Sequence, residues 1–215
     1  MSYQALKQRH RNERDAQHPN LSLRVHRALS WLQRAEQADD HDGRFIFLWI
    51  AFNAAYATEI EERHRLTEQD GFNAFVGKLH ALDESKRMDA LVWKTFAGPI
   101  RVLLDTPYVF QSFWDWQNGK IKDDEWKLKF ANGKKAAKLA LSESNTPVVL
   151  AIVLNRMYTL RNQVMHGGAT WNSSTNRKQL RDCTHLLEQL VPLIIELMMD
   201  NPDTLWGEAC YPVVS

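Results

Sequence analysis

The stretch from Thr146 to Gly168 leaves this chain the least freedom. It opens on Thr-Pro. Thr146 can cap a helix start, and Pro147 suits the first helical position, where a missing N–H costs nothing. Val149, Ile152, Val153, Tyr158, Leu160 and Val164 then recur at helical spacing over several turns and mark a buried helix on which the rest of the chain is anchored. Its end is different in kind. Arg161, Asn162 and His166 bring a guanidinium, an amide and an imidazole into the last turn. Gly167 and Gly168 stop the helix, because glycine readily takes the left-handed conformation that closes one.

The ending Arg161-Asn162-Gln163-Val164-Met165-His166 resembles the signature of the HEPN superfamily, α-helical domains marked by an Arg, a polar residue and a His a few positions later. A second stretch, Phe47-Leu48-Trp49-Ile50-Ala51-Phe52-Asn53-Ala54-Ala55-Tyr56, is similar to the aromatic second helix of the APEA-like and related HEPN branches. Together the two stretches cover the helical core but not the middle of the chain. The resemblance implies a homodimer in which two such motifs line one cleft. It also implies metal-independent endoribonuclease cleavage of RNA leaving a 2′,3′-cyclic phosphate, with no cofactor. Carried onto this chain, Arg161 becomes a phosphate clamp, Asn162 a polar orienter and His166 an acid/base. A role as a toxin or defence effector, with an antitoxin or defence partner protein, belongs to the same implication. HEPN toxins paired with a nucleotidyltransferase antitoxin often carry His-x-Tyr, the Tyr being modified. Gly168 stands in the place of that Tyr, so the likeness does not extend to control by that route.

The expected fold is all-α: one domain over 1–215 with an up-and-down core of about four long helices near 21–38, 44–62, 146–168 and 177–200. In the first, Val25, Leu29 and Leu32 face inward with Trp31 at the edge of the stripe, while Arg24, Arg27, Gln33 and Arg34 face out. The second is apolar nearly all round and should be buried on most sides, with Trp49, Phe52 and Tyr56 in the core. Asn53 has two readings. It is a core amide satisfied by a neighbouring helix, or a residue behind the site that orients Arg161 or His166. Residues 63–145 form a helical insertion between the second and third core helices. In it, Gln69–Leu82 and Lys86–Ala97 read as helices, Ile100–Leu104 as helix or strand, and Asp123–Leu141 as a Lys-rich helix. Pro192 should kink the last core helix, and Asn201–Ser215 should pack as an irregular cap with Trp206 and Tyr211.

Lys and Arg (27) nearly balance Asp and Glu (26), so no global basic field argues for nucleic acid, and any RNA binding needs a local patch. One option is the charged segment Lys7–Asp15, which also reads as a plain solvated helix or tail. A second is the group Lys127, Lys129, Lys134, Lys135 and Lys138 with Trp126 and Phe130, which reads equally as a solvated face. Cys183 and Cys210 form no C-x-x-C and no disulfide framework. No apolar leader follows Met1, and the longest apolar run, Phe45–Phe52, is too short to span a membrane, which points to a cytoplasmic protein.

Cutting RNA without a metal requires three tasks. The 2′-hydroxyl must lose a proton, the crowded phosphate needs its added charge stabilised, and the leaving 5′-oxygen must gain a proton. His titrates near neutrality and can act as base or acid. Arg is permanently charged, and its planar fork suits phosphate oxygens. Five helical steps turn a side chain well off its starting face, so Arg161 and His166 converge only if the helix loosens at Gly167-Gly168 or a partner chain completes the site. Other chemistries lack support. Glu125-Trp126-Lys127 echoes the E-x-K of metal-dependent nucleases, but no β-sheet core accompanies it. Phosphate-loop and H-E-x-x-H motifs are missing, and the eight His show no metal spacing. Two rival readings stand beside the ribonuclease: a non-catalytic HEPN module that binds RNA or nucleotides, and a structural dimerisation protein.

Overall fold

The computed structural model of the chain describes residues 2–57, 68–174 and 176–209, and of residues 68 and 69 only the backbone. Among these residues the architecture is helical and contains no strand. In chain order the helices are α1 (Tyr3–Glu13), α2 (Pro19–Glu36), α3 (His41–Tyr56), α4 (Glu68–Leu82), α5 (Arg87–Ala90), α6 (Ala97–Asp105), α7 (Gln111–Gln117), α8 (Asp123–Ser142), α9 (Thr146–Met165) and α10 (Arg177–Asp200). A π-helical turn, Leu91–Thr95, joins α5 to α6. No helix among the described residues is long and apolar enough to cross a membrane.

Local chemistry sets the boundaries. The Asp40 carboxylate accepts the Gly43 N–H at 2.8 Å, so α3 starts at His41, a few residues before the expected position near 44. At its other end, Ala57 leaves the helical conformation and α3 stops at Tyr56, while 58–62, expected as its last turns, lie outside the described residues. For α9 the capping side chain is Asn145, which accepts the Val148 N–H at 3.2 Å, rather than Thr146. The Thr146 hydroxyl instead donates to Asp89 and accepts the Trp93 indole N–H at 2.7 Å, tying α5 and the π-turn to the start of α9. Ile100–Leu104 is helical. Pro99 falls in the first turn of α6, where the lost N–H is harmless. Helix α10 runs unbroken through Pro192.

Packing centres on α9, whose neighbours are α3, α4, α6 and α8. Helices α2 and α3 pair, and α10 lies against both. Residues 70–145 contribute to the core: Phe72, Val76, Leu79, Met88, Val92, Ile100 and Val109 join α9 and α10 side chains in one continuous apolar cluster. Trp49 is its aromatic centre, 2% exposed, with ring contacts to Phe52 at 5.4 Å, Phe72 at 6.2 Å and Tyr158 at 6.2 Å. Phe52 is buried with it, whereas Tyr56 is half-buried at the edge. Gly71 lets α4 cross that edge closely, since a Cβ there would lie 2.2 Å from the Tyr56 hydroxyl and the phenol would have to shift. The all-round apolar look of α3 overstated its burial. Ile46, Ile50 and Asn53 share a stripe that is only half-buried. Water can reach Asn53, and among the described residues its side chain makes no hydrogen bond to another helix.

Arg24, placed outward by periodicity, is 1% exposed. Its guanidinium donates to the carbonyls of Ala55 (3.1 Å), Ala57 (2.7 Å) and Glu208 (2.9 Å). The cause lies in α3, which ends beside α2 with carbonyls that no helical N–H satisfies. The same contact pins residues 201–209, in which Trp206 is buried and donates to the Asn201 carbonyl at 3.1 Å. Tyr211 and Cys210 lie outside the described residues. Trp31 is partly exposed and stacks on Phe47 at 6.0 Å. The charged N-terminal segment is an ordered helix. Tyr3, Leu6 and His10 are buried, and Arg9 pairs with Asp200 at 2.6 Å.

Candidate functional site at the end of α9

The last regular residue of α9 is Met165, and His166 caps the helix, its backbone N–H reaching the Asn162 carbonyl at 3.0 Å. Gly167 takes φ +69, and Gly168 folds back to donate to the Gln163 carbonyl at 2.8 Å. A Cβ on Gly168 would sit 3.2 Å from that oxygen, so the second glycine is required by a close backbone approach and the first by its conformation.

Gln163 locks this end against the rest of the molecule. Its amide donates to the Tyr108 carbonyl at 2.7 Å and accepts from Asn176 at 2.9 Å. The same Tyr108 carbonyl takes the Trp114 indole N–H at 2.7 Å. Across the loop after α9, Asp42 at the start of α3 binds Arg177 at 2.8 Å and the Asn172 N–H at 3.3 Å. Helix α3 therefore begins where α9 ends, and the two run antiparallel, with Trp49 beside Tyr158.

Within this frame Arg161 and Asn162 are half-buried and in contact, the guanidinium donating to the Asn162 side-chain oxygen at 2.9 Å. The Arg161 guanidinium also stands 5.9 Å from the centre of the Tyr158 ring. His166 is exposed, and among the described residues its ring makes no hydrogen bond. Five residues at helical pitch put Arg161 and His166 about 140° apart around the axis, and no contact in one chain joins them. Asn53 lies a turn beyond Trp49, toward the opposite end of α3, and so away from both. Tyr108, whose carbonyl holds Gln163, and Met165 and Trp171, at and just after the helix end, are 49%, 51% and 75% exposed. Among the described residues, no group of three or more His, Cys, Asp or Glu is arranged to hold a metal ion.

Sequence reasoning passed over Arg156. It lies on the buried side of α9, stacked at 4.2 Å on the Phe110 ring, and burial pushes its pKa down to about 10. The signal was present as one cation inside the apolar run Ile152–Met157. Of the lysines on α8, Lys127 pairs with Asp123, Lys129 with Glu125 and Lys134 with Asp105, which leaves Lys135 and Lys138 as the cations of that group with no ion-pair partner among the described residues.

No protein-family model, no curated protein and no solved structure matches the chain.

Proposed function

We propose that this protein is a metal-independent endoribonuclease of HEPN type that acts as a homodimer. In this reading the 2′-hydroxyl attacks the adjacent phosphate to leave a 2′,3′-cyclic phosphate, and the protein serves as a toxin or defence effector restrained by an antitoxin or defence partner. The observation that carries the reading is the end of α9. A guanidinium held by Asn162 and an exposed imidazole five residues on stand at a glycine-closed helix terminus. Arg161 clamps the phosphate, Asn162 orients Arg161, and His166 handles protons. The angular separation of Arg161 and His166 supports a two-fold assembly in which one copy's imidazole meets its partner's guanidinium. The exposed Tyr108, Met165 and Trp171 supply apolar surface for it, and such an interface is isologous. A second reading, a non-catalytic module that binds RNA or nucleotides, draws on the lack of any side-chain hydrogen bond fixing the His166 tautomer.

Purified protein incubated with mixed RNAs in chelator tests the proposal. His166→Ala and Arg161→Ala should fold normally and lose about 10²–10⁴-fold in rate, the range of a general acid–base contribution. Arg161→Lys should rescue poorly, since an ammonium lacks the planar fork. Substrates with 2′-deoxyribose at the target should not react. Cleavage that survives this replacement, or that chelator abolishes, refutes the mechanism. Full activity from a protein that light scattering shows to be a monomer removes the dimer. Tight RNA binding with no cleavage of any RNA selects the second reading.

A further inference from the structure

Arg156 is the charge that this mechanism leaves unused. The residue is 4% exposed, and its Nε is buried without a hydrogen-bond partner. Among the described residues the guanidinium makes no hydrogen bond and no ion pair. Its close neighbours are the Phe110 ring and Gly133 of α8. A Cβ on Gly133 would stand 3.4 Å from Arg156 Nη2 and 3.4 Å from Phe110 Cε2. Arg24 provides the contrast within the same molecule, since there a buried guanidinium of structural role is met by three carbonyls. Arg156 stays charged at neutral pH, and a ring face offsets only part of what burying an unpaired cation costs.

The surroundings supply what else a ligand needs. From Phe110 a chain of half-buried rings runs outward through Phe130 (5.3 Å), Trp126 (6.1 Å) and Trp116, the last two stacked at 5.4 Å. Lys134, paired with Asp105, lies 5.6 Å from the Phe130 ring centre. The cover over Arg156 is thin. Fully buried side chains in α8 are confined to Ala137 and Ala140, and at Gly133 the helix faces Arg156 with no side chain of its own.

We propose that Arg156 is the receptor for a phosphate group that reaches it from the Gly133 side, where the helix presents no side chain to the guanidinium, with the ring chain of Phe130, Trp126 and Trp116 taking the base of the same nucleotide. The guanidinium fork matches two phosphate oxygens, and every base has a face to stack. A free nucleotide and the backbone of a single strand share this chemistry. The site does not depend on His166.

The test titrates the full chain, at fixed ionic strength, with inorganic phosphate, adenosine 5′-monophosphate, adenosine, and a diadenosine linked by one internal phosphodiester. Binding is read by calorimetry and by the rise in Tm. The monophosphate should bind saturably and more tightly than inorganic phosphate, and adenosine should bind weakly. Arg156→Met should lower the monophosphate affinity about tenfold or more, the loss expected of a charge-assisted contact. Without ligand it should melt at or above the wild-type temperature, because it removes an unpaired buried charge. Gly133→Ala keeps the charge, suits a helix better and puts a methyl in the slot, so it should fold well and bind the monophosphate weakly. His166→Ala should bind as the wild type does, which separates this site from the proposed cleavage site. A diadenosine as tight as the monophosphate assigns the ligand to strand backbone, and a weaker one assigns it to a terminal phosphate. The proposal is overturned if Gly133→Ala binds the monophosphate like wild type, or if Arg156→Met melts lower while keeping its affinity. Either result makes the guanidinium a structural partner of Phe110.

Discussion

Replacing Arg24 with Met tests the least expected feature of the fold. The side chain is 1% exposed and donates to three carbonyls belonging to two separated segments, the end of α3 and the 201–209 tail. Methionine keeps most of the volume and flexibility, so the change removes donors more than packing. The Ala55 carbonyl is then left buried, and those of Ala57 and Glu208 lose a charged donor. A buried acceptor left unsatisfied costs about 1–3 kcal/mol, and with the charged hydrogen bonds to the two partly exposed carbonyls the total is about 3–5 kcal/mol. Against a total stability of roughly 5–15 kcal/mol that is a large fraction, and at about 2–4 °C per kcal/mol for a chain of this size it lowers Tm by about 6–20 °C. Urea unfolding should show a reduced midpoint with little change in slope. Amide exchange should accelerate at 55–57 and 201–209 before it does elsewhere. Arg24→Lys should recover only part of the loss, because one ammonium cannot reach carbonyls on two segments in the geometry of a fork. A variant within about 0.5 kcal/mol of wild type, with the tail still protected, would refute the assignment of Arg24 as the clasp between α3 and the tail, since changes of that size are what surface positions give.

Two further outcomes follow from the core and the α9 start. Trp49→Ala should destabilise by about 3–5 kcal/mol, measured by denaturant unfolding, since the indole is the centre of the Phe52, Phe72 and Tyr158 contacts. The hydrogen bond from Thr146, joined by that from His80, holds the Asp89 carboxyl below its ordinary value. A depressed carboxylate contributes stability above its unfolded value and loses it as pH falls through the folded one. The stability gap between wild type and Asp89→Asn should therefore be full above about pH 5 and close as pH drops below about 4.

Much of the helix content was legible because it rests on periodicity, and periodicity survives in the sequence. The apolar spacing from Val149 to Val164 and from Leu180 to Met198 marks α9 and α10 directly. The termini were less legible, because a cap depends on which of two adjacent polar residues has a better partner. Asn145 caps α9 because Asp89 and Trp93, distant in sequence, already engage the Thr146 hydroxyl. Single charges were misplaced for the same reason. Arg24 satisfies the outward pattern of α2, and only the presence of the α3 terminus beside it turns it inward. Asn53 failed in the opposite direction, because an all-round apolar helix conceals which stripe its neighbours leave open. At the candidate site the motif could be read, but its geometry carries a constraint that letters alone do not. Gln163 fixes the last turn to Tyr108 and Asn176, and Gly168 folds back onto Gln163, so the helix end is braced rather than loose. Of the two routes by which Arg161 and His166 could meet, unwinding of that turn would break this bracing, whereas a second copy would not. For the proposed ribonuclease, a second copy is therefore the economical way to bring the two side chains together. A charged substitution at Trp171, which is 75% exposed and outside the motif, should therefore lose cleavage together with the dimer, and a monomeric variant that still cleaves would refute the two-chain site.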